Sequence, residues 1–156
     1  LKESGMDPEQ IMDFAETNCL VTVDYIRQDG EKVKVTGFDF GKYEHMARGG
    51  IISTEWTGQM IVSFRIMADY YKQNSEFNKA EYYNKKADFY LSEMEKMVIV
   101  SPSRIGQGQG CVAYASQEDA DTGHGWRVAH GTKTGSTAGT VYIIFAKYDY
   151  NPLALD

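Results

Sequence analysis

Ser53-Thr-Glu-Trp-Thr-Gly-Gln-Met-Ile-Val-Ser-Phe-Arg-Ile-Met-Ala-Asp-Tyr-Tyr-Lys-Gln73 is the stretch whose reading decides the fold. Trp56, Met60, Phe64, Met67 and Tyr71 recur at spacings of three and four, and Ile61, Val62, Ile66, Ala68 and Tyr70 widen the stripe almost all round. Only Glu55, Arg65, Asp69 and Lys72 remain as a narrow polar strip. A helix apolar on most sides belongs at the centre of a domain. Ser53 or Thr54 supplies its N-cap, because a short hydroxyl side chain can accept a free backbone N–H of the first turn.

Asn74-Ser75 then makes a tight turn, and Ser75 is expected to cap a second helix over about Glu76 to Val98. Phe77, Ala80, Tyr83, Ala87, Leu91, Met94 and Val98 form its inward face. Lys79, Glu81, Lys85, Lys86, Glu93 and Lys96 form the outward one, with Glu81 and Lys85 a favourable i,i+4 pair. So short a connection makes the two helices an antiparallel hairpin, which Pro102 ends.

Upstream, Asp7-Pro8-Glu9-Gln10 opens a short helix running to about Asn18: an Asp N-cap, Pro at the first helical position, and Gln10 placed for a capping box. Cys19–Ile26 and Glu31–Thr36 alternate apolar with polar, are rich in β-branched residues and flank Asp29-Gly30, which predicts a β-hairpin. The charges of Asp24, Lys32 and Lys34 then lie on its solvated face. Residues 37–52 read as loop.

Downstream lies SPSRIGQGQGCVAYASQEDADTGHGWRVAHGTKTG, residues 101–135, which holds seven of the fifteen glycines. A connection this long without periodicity is functional or disordered. Cys111, Val112, Tyr114, Trp126 and Val128 are residues that get buried, so the reading is an ordered loop packed across helix ends. Residues 138–148 form a last apolar run. Periodicity alone does not separate a buried strand from a buried helix here, but Ser136, Ala138 and Gly139 suit a helix N-terminus in close contact with a neighbour.

The fold class expected is therefore mainly α within α+β. At 156 residues the chain is one domain's worth. The net charge of −6 and the lack of a basic patch speak against nucleic-acid and anionic-membrane partners. No apolar run is long enough for a membrane span. Two cysteines leave a Cys19–Cys111 bridge open without requiring it. The opening at Leu1, without an initiator Met, suggests the C-terminal part of a longer or processed protein, with the rest of that parent chain as a partner. The compartment stays open.

Met67–Tyr71 with Phe77, Ala80, Tyr83 and Ala87 locally resembles a tetratricopeptide unit, but it occurs once, and solenoids need several. Over Ser53 to Leu155 the pattern of long buried helices in antiparallel hairpins, joined by aromatic and Gly-rich loops at one end, resembles the final hairpins of an (α/α) toroid of the six-hairpin glycosidase type. That resemblance implies rim loops carrying carbohydrate chemistry, with aromatic platforms and paired carboxylates, and hence a glycan partner. No diagnostic motif of such a family is matched.

Gln117–Arg127 concentrates acids, an imidazole and an indole. Sugar hydrolysis or elimination uses two carboxyls across the scissile bond. Glu55, Asp119 and Asp121 are the candidates, with Trp56, Tyr114, His124, Trp126 and Arg127 as binding surface. The competing reading makes Asp119 and Asp121 turn formers, His124 a ligand of a backbone carbonyl, and Trp126 a core plug. No cofactor is called for. Asp119-x-Asp121-x-Gly123 does resemble the opening of a calcium loop, with His130 where a bidentate Glu is expected, so a structural Ca²⁺ on Asp119 and Asp121 is the one metal worth testing. His45, Arg48 and Gly49-Gly50 are placed as a second rim loop facing residues 101–135. A different class of function, a self-assembling structural module without catalytic activity, is favoured by the abundant tyrosine and by the want of a clean catalytic motif.

Overall fold

The computed structural model describes residues 5–99, 110–130 and 134–154. The expected stop at Pro102 and most of the 106–110 glycine run lie outside them. Asp7 caps α1 (Pro8–Cys19) by accepting the Glu9 N–H at 3.0 Å. The chain passes directly into β1 (Leu20–Ile26), which pairs antiparallel with β2 (Lys32–Phe38). The turn carries Gly30 at φ +88. On the outer face Asp24 is paired with Lys32 and Lys34, as the alternation requires.

Ser53 accepts the Trp56 N–H and starts α2 (Thr54–Gln73). The reversal into α3 (Phe77–Glu95) differs from expectation. Ser75 does not cap: it sits at φ +61 as the left-handed residue of the turn, and Glu76 takes the N-cap position of α3 without a side-chain hydrogen bond. Two residues of α3 are also turned from their expected faces. Phe77, at the first helical position, precedes the first full turn against α2 and stands in solvent. Glu93 is buried because the β-hairpin lies over it: its carboxylate accepts the Thr36 N–H at 2.8 Å and is paired with Lys96. Tyr90 takes the inward position that Leu91 only partly fills.

The α2–α3 seam is filled by a ladder of rings. Tyr71 stacks on Tyr83 (5.7 Å, 3°), Tyr83 on Phe64, and Phe64 on Tyr90 (5.7 Å, 11°), which meets Phe38 of β2 at 5.0 Å. Large aromatics supply burial and a preferred geometry at once, so this row fixes helix register. On its far side α1 runs alongside α3 in the same direction, since Glu9 pairs with Lys79 and, seven residues on in both helices, Glu16 with Lys86.

The ambiguous last run is a helix, α4 (Thr137–Lys147), capped by Ser136. It crosses α2 closely. A Cβ on Gly58 would come within 2.8 Å of the Tyr142 Cβ, and one on Gly139 would overlap the Thr54 hydroxyl. The observed architecture is thus α+β: four helices and one two-stranded antiparallel hairpin among the described residues.

Candidate functional site

Three segments converge on the N-terminal end of α2. The buried Thr54 hydroxyl donates to the Ala113 carbonyl at 2.6 Å. Ile52 N–H bonds the Ser116 hydroxyl, and Ser116 N–H returns to the Ile52 carbonyl at 2.9 Å. Tyr114 N–H reaches the Thr134 carbonyl at 3.0 Å. The expected ordered loop is therefore tied, through its described residues, to both the 39–52 segment and the start of α4.

Asp39 anchors the 39–52 segment. It is wholly buried, and its carboxylate accepts the N–H groups of Phe40 (2.6 Å) and Ile51 (3.0 Å) and both Arg48 Nη atoms at 2.8 and 2.6 Å. A buried charge is tolerable only when paired and hydrogen-bonded in this way. Arg48 Nε donates in turn to the Asp121 carbonyl. This joins Arg48 to residues 119–130, within the 101–135 stretch that Arg48 and Gly49-Gly50 were expected to face. His45, by contrast, is exposed and takes no part in the junction.

Residues 119–130 form a small irregular hairpin. Val128 N–H bonds the Ala120 carbonyl at 2.8 Å, Thr122 N–H and hydroxyl both bond the Trp126 carbonyl, and Asp121 lies opposite Arg127. Gly123 and Gly125, at φ +80 and +83, make the tip, and a Cβ on Gly123 would strike Met46. His124 Nε2 lies 2.7 Å from the Phe40 carbonyl, so that nitrogen carries the proton.

On this frame the rings gather. Phe40 is buried and meets Trp56 at 5.6 Å and Trp126 at 5.3 Å, both edge-on. Trp126 is also edge-on to Tyr114 (6.0 Å, 87°), and His124 leans on Trp56 at 5.1 Å. Trp126 is not the core plug of the competing reading: 40% of it stays exposed. Glu55 lies in the same neighbourhood. The Tyr114 phenol is pushed above its ordinary pKa by burial first and by the Glu55 charge second. Gln59 Nε2 donates to Glu55 at 3.3 Å.

The acids are distributed less simply than the sequence suggests. Asp119, at φ +54, accepts His130 Nδ1 at 2.7 Å, which raises the imidazole above its ordinary pKa. Asp121 Oδ1 accepts the Gly123 N–H at 2.8 Å and shapes the tip. Trp56, Tyr114, His124, Trp126 and Glu55 come together, while Asp119, Asp121 and Arg127 lie along the exposed edge of the hairpin. Among the described residues no three His, Cys, Asp or Glu side chains converge as a metal would need. Cys19 and Cys111 are not disulfide-bonded.

Asp39 was missed by the sequence reading. Its one signal was position, an acid between two phenylalanines in Gly37-Phe38-Asp39-Phe40-Gly41. Away from the ring cluster, a concavity of about 370 Å³ between the start of α1 and the far end of α2 is lined by residues that include Glu9, Tyr71, Glu76 and Lys79. The Glu9 carboxylate there already accepts from the Tyr71 hydroxyl and Lys79. No helix among the described residues is long and apolar enough to cross a membrane. Comparison with family models, with curated proteins and with solved structures found no match to this chain.

Proposed function

We propose that the chain is a carbohydrate-binding domain whose site is the ring cluster at the N-terminal end of α2. The observation that carries this is Trp126. It is held edge-on by Phe40 and Tyr114, yet 40% of it faces solvent, and its neighbour Tyr114 feels the charge of Glu55. A rigid amphipathic ring with nearby hydrogen-bonding groups is what a sugar, apolar on its C–H face and polar at its rim, can stack upon. The support is strengthened by position: the ring sits on an ordered loop braced by helices, the usual place for binding chemistry. The likeness to an (α/α) toroid supplies the ligand class, and fold analogy of that kind supports function less than the ring does.

Binding, not hydrolysis, is the activity proposed. A glycosidase needs one carboxyl to protonate and another to attack or activate water. Here Asp121 shapes a turn and Asp119 holds His130, which leaves Glu55 as the carboxyl beside the rings. The test is a titration of intrinsic tryptophan fluorescence with a panel of neutral, amino and acidic oligosaccharides. One class should shift the emission saturably, and Trp126→Ala should weaken binding at least ~10-fold, about 1.4 kcal/mol. No response from any class, with the protein folded, would sink the proposal.

A further inference from the structure

α4 presents a second feature, independent of the ring cluster. Gly139, Ile143 and Ala146 face inward, while Val141, Ile144 and Tyr148 stand 37%, 48% and 75% exposed on the opposite side. Thr137, Val141, Ile144 and Tyr148 follow at i, i+4, i+7 and i+11, one continuous stripe. Tyr150 extends it sideways by packing on Phe145 at 5.0 Å. A helix bearing apolar residues all round is normally covered all round. No charge crosses the stripe: Lys147 turns to Glu95, and Asp149 to Arg65 at 3.0 Å.

We infer that this face of α4 is a twofold interface with a second copy of the same chain, the two α4 helices packing antiparallel. The stripe is self-complementary in that sense only. Its N-terminal end is small (Thr137, Ala138) and its C-terminal end is large (Tyr148). About a twofold axis between Val141 and Ile144, each Tyr148 covers the small end of the partner helix, and Val141 meets Ile144 in both directions, as an isologous contact demands. Parallel packing would set tyrosine on tyrosine and leave a gap at the threonines. Antiparallel helix dipoles also attract. The exposed parts of these side chains amount to roughly 500 Å² per copy, at ~150–250 Å² for a fully exposed aromatic. Two copies bury at most about 1,000 Å², the lower edge of a specific interface, so the dimer is weak and concentration-dependent.

Light scattering on a sizing column, from micromolar to near-millimolar protein, should follow a monomer-to-dimer transition. Ile144→Lys should abolish it with the far-ultraviolet circular dichroism unchanged, whereas Phe89→Lys, at an exposed ring on the outside of α3, should not. Register has its own readout. In an oxidised mixture of Thr137→Cys and Tyr148→Cys chains, peptide mapping should find the 137–148 link in preference to like-with-like links. A monomer at every concentration, a dimer that survives Ile144→Lys, or like-with-like links would each overturn the inference.

Discussion

At the scale of single residues the site stands or falls with Asp39 and Arg48. Removing one member of a buried, hydrogen-bonded ion pair leaves the other charge without compensation, at a cost of about 3–5 kcal/mol. Arg48→Ala should therefore lower stability by that order in urea denaturation, and adding Asp39→Asn should restore part of the loss by neutralising the stranded carboxylate. A single variant within ~0.5 kcal/mol of the parent would show that the charge reaches water. His130 gives a second, milder test. Its pKa is raised by Asp119, so whatever the pair contributes is present below the ordinary imidazole range and fades as pH rises through the raised value. An NMR titration should find His130 titrating above a free imidazole and falling in Asp119→Asn, with the nearby charge of Glu118 still acting to raise it. What was legible at this scale was composition and part of the role: the competing reading put His124 on a backbone carbonyl and Asp121 in a turn, as observed. The acids, rings and imidazole of residues 117–127 were visible as a cluster. That Asp119 would hold His130, or that Glu93 would turn inward to meet Thr36, depends on segments far apart in sequence.

At the scale of elements the sequence carried more, because periodicity is a local signal that long-range packing only refines. α2 runs over Thr54–Gln73 where the stripe of Trp56 to Tyr71 predicts it, and the β-hairpin pairs about Asp29-Gly30. The failures sit at helix ends, where one residue's backbone angle decides the assignment: Ser75 turned instead of capping, and Phe77 was left outside. The close crossing of α2 and α4 was legible only as small residues near the start of the last run. Its sign can be tested. On propensity alone Gly58→Ala gains up to ~1 kcal/mol in a helix interior. Here the new methyl meets the Tyr142 Cβ, an atom fixed to the backbone of α4, at 2.8 Å. Forcing two packed helices apart costs about 1–3 kcal/mol, so overpacking should win and the variant should melt lower. A higher melting temperature would mean that α4 is free to move away.

At the scale of the whole molecule the tyrosines act together. Burial is the first cause that holds the phenols of Tyr25, Tyr71, Tyr83, Tyr90 and Tyr114 above their ordinary pKa, with Tyr71 and Tyr83 pushed up to about 12. Lys79 is raised by its bond to Glu9; burial lowers Lys86 more than any one contact raises it, but Glu16 and Tyr82 together outweigh burial. In every case the native state holds a proton that the unfolded chain has begun to release by about pH 10. The unfolded state therefore binds fewer protons between about pH 10 and 12, and stability must fall as pH rises through that window. Each raised phenol adds to that fall, and a native state with a total stability of only about 5–15 kcal/mol is sensitive to it. The part of the tyrosinate absorbance that belongs to these five phenols should accordingly appear together with the loss of circular dichroism in one cooperative alkaline step, and ionisation of every tyrosine with the fold intact would contradict this. Tyr71→Phe separates the contributions by sign. At neutral pH it loses the hydrogen bond to Glu9 and about 1 kcal/mol with it. Near pH 11 it no longer carries a proton that unfolding would release, so the deficit should shrink or reverse, which a lost packing contact would not do.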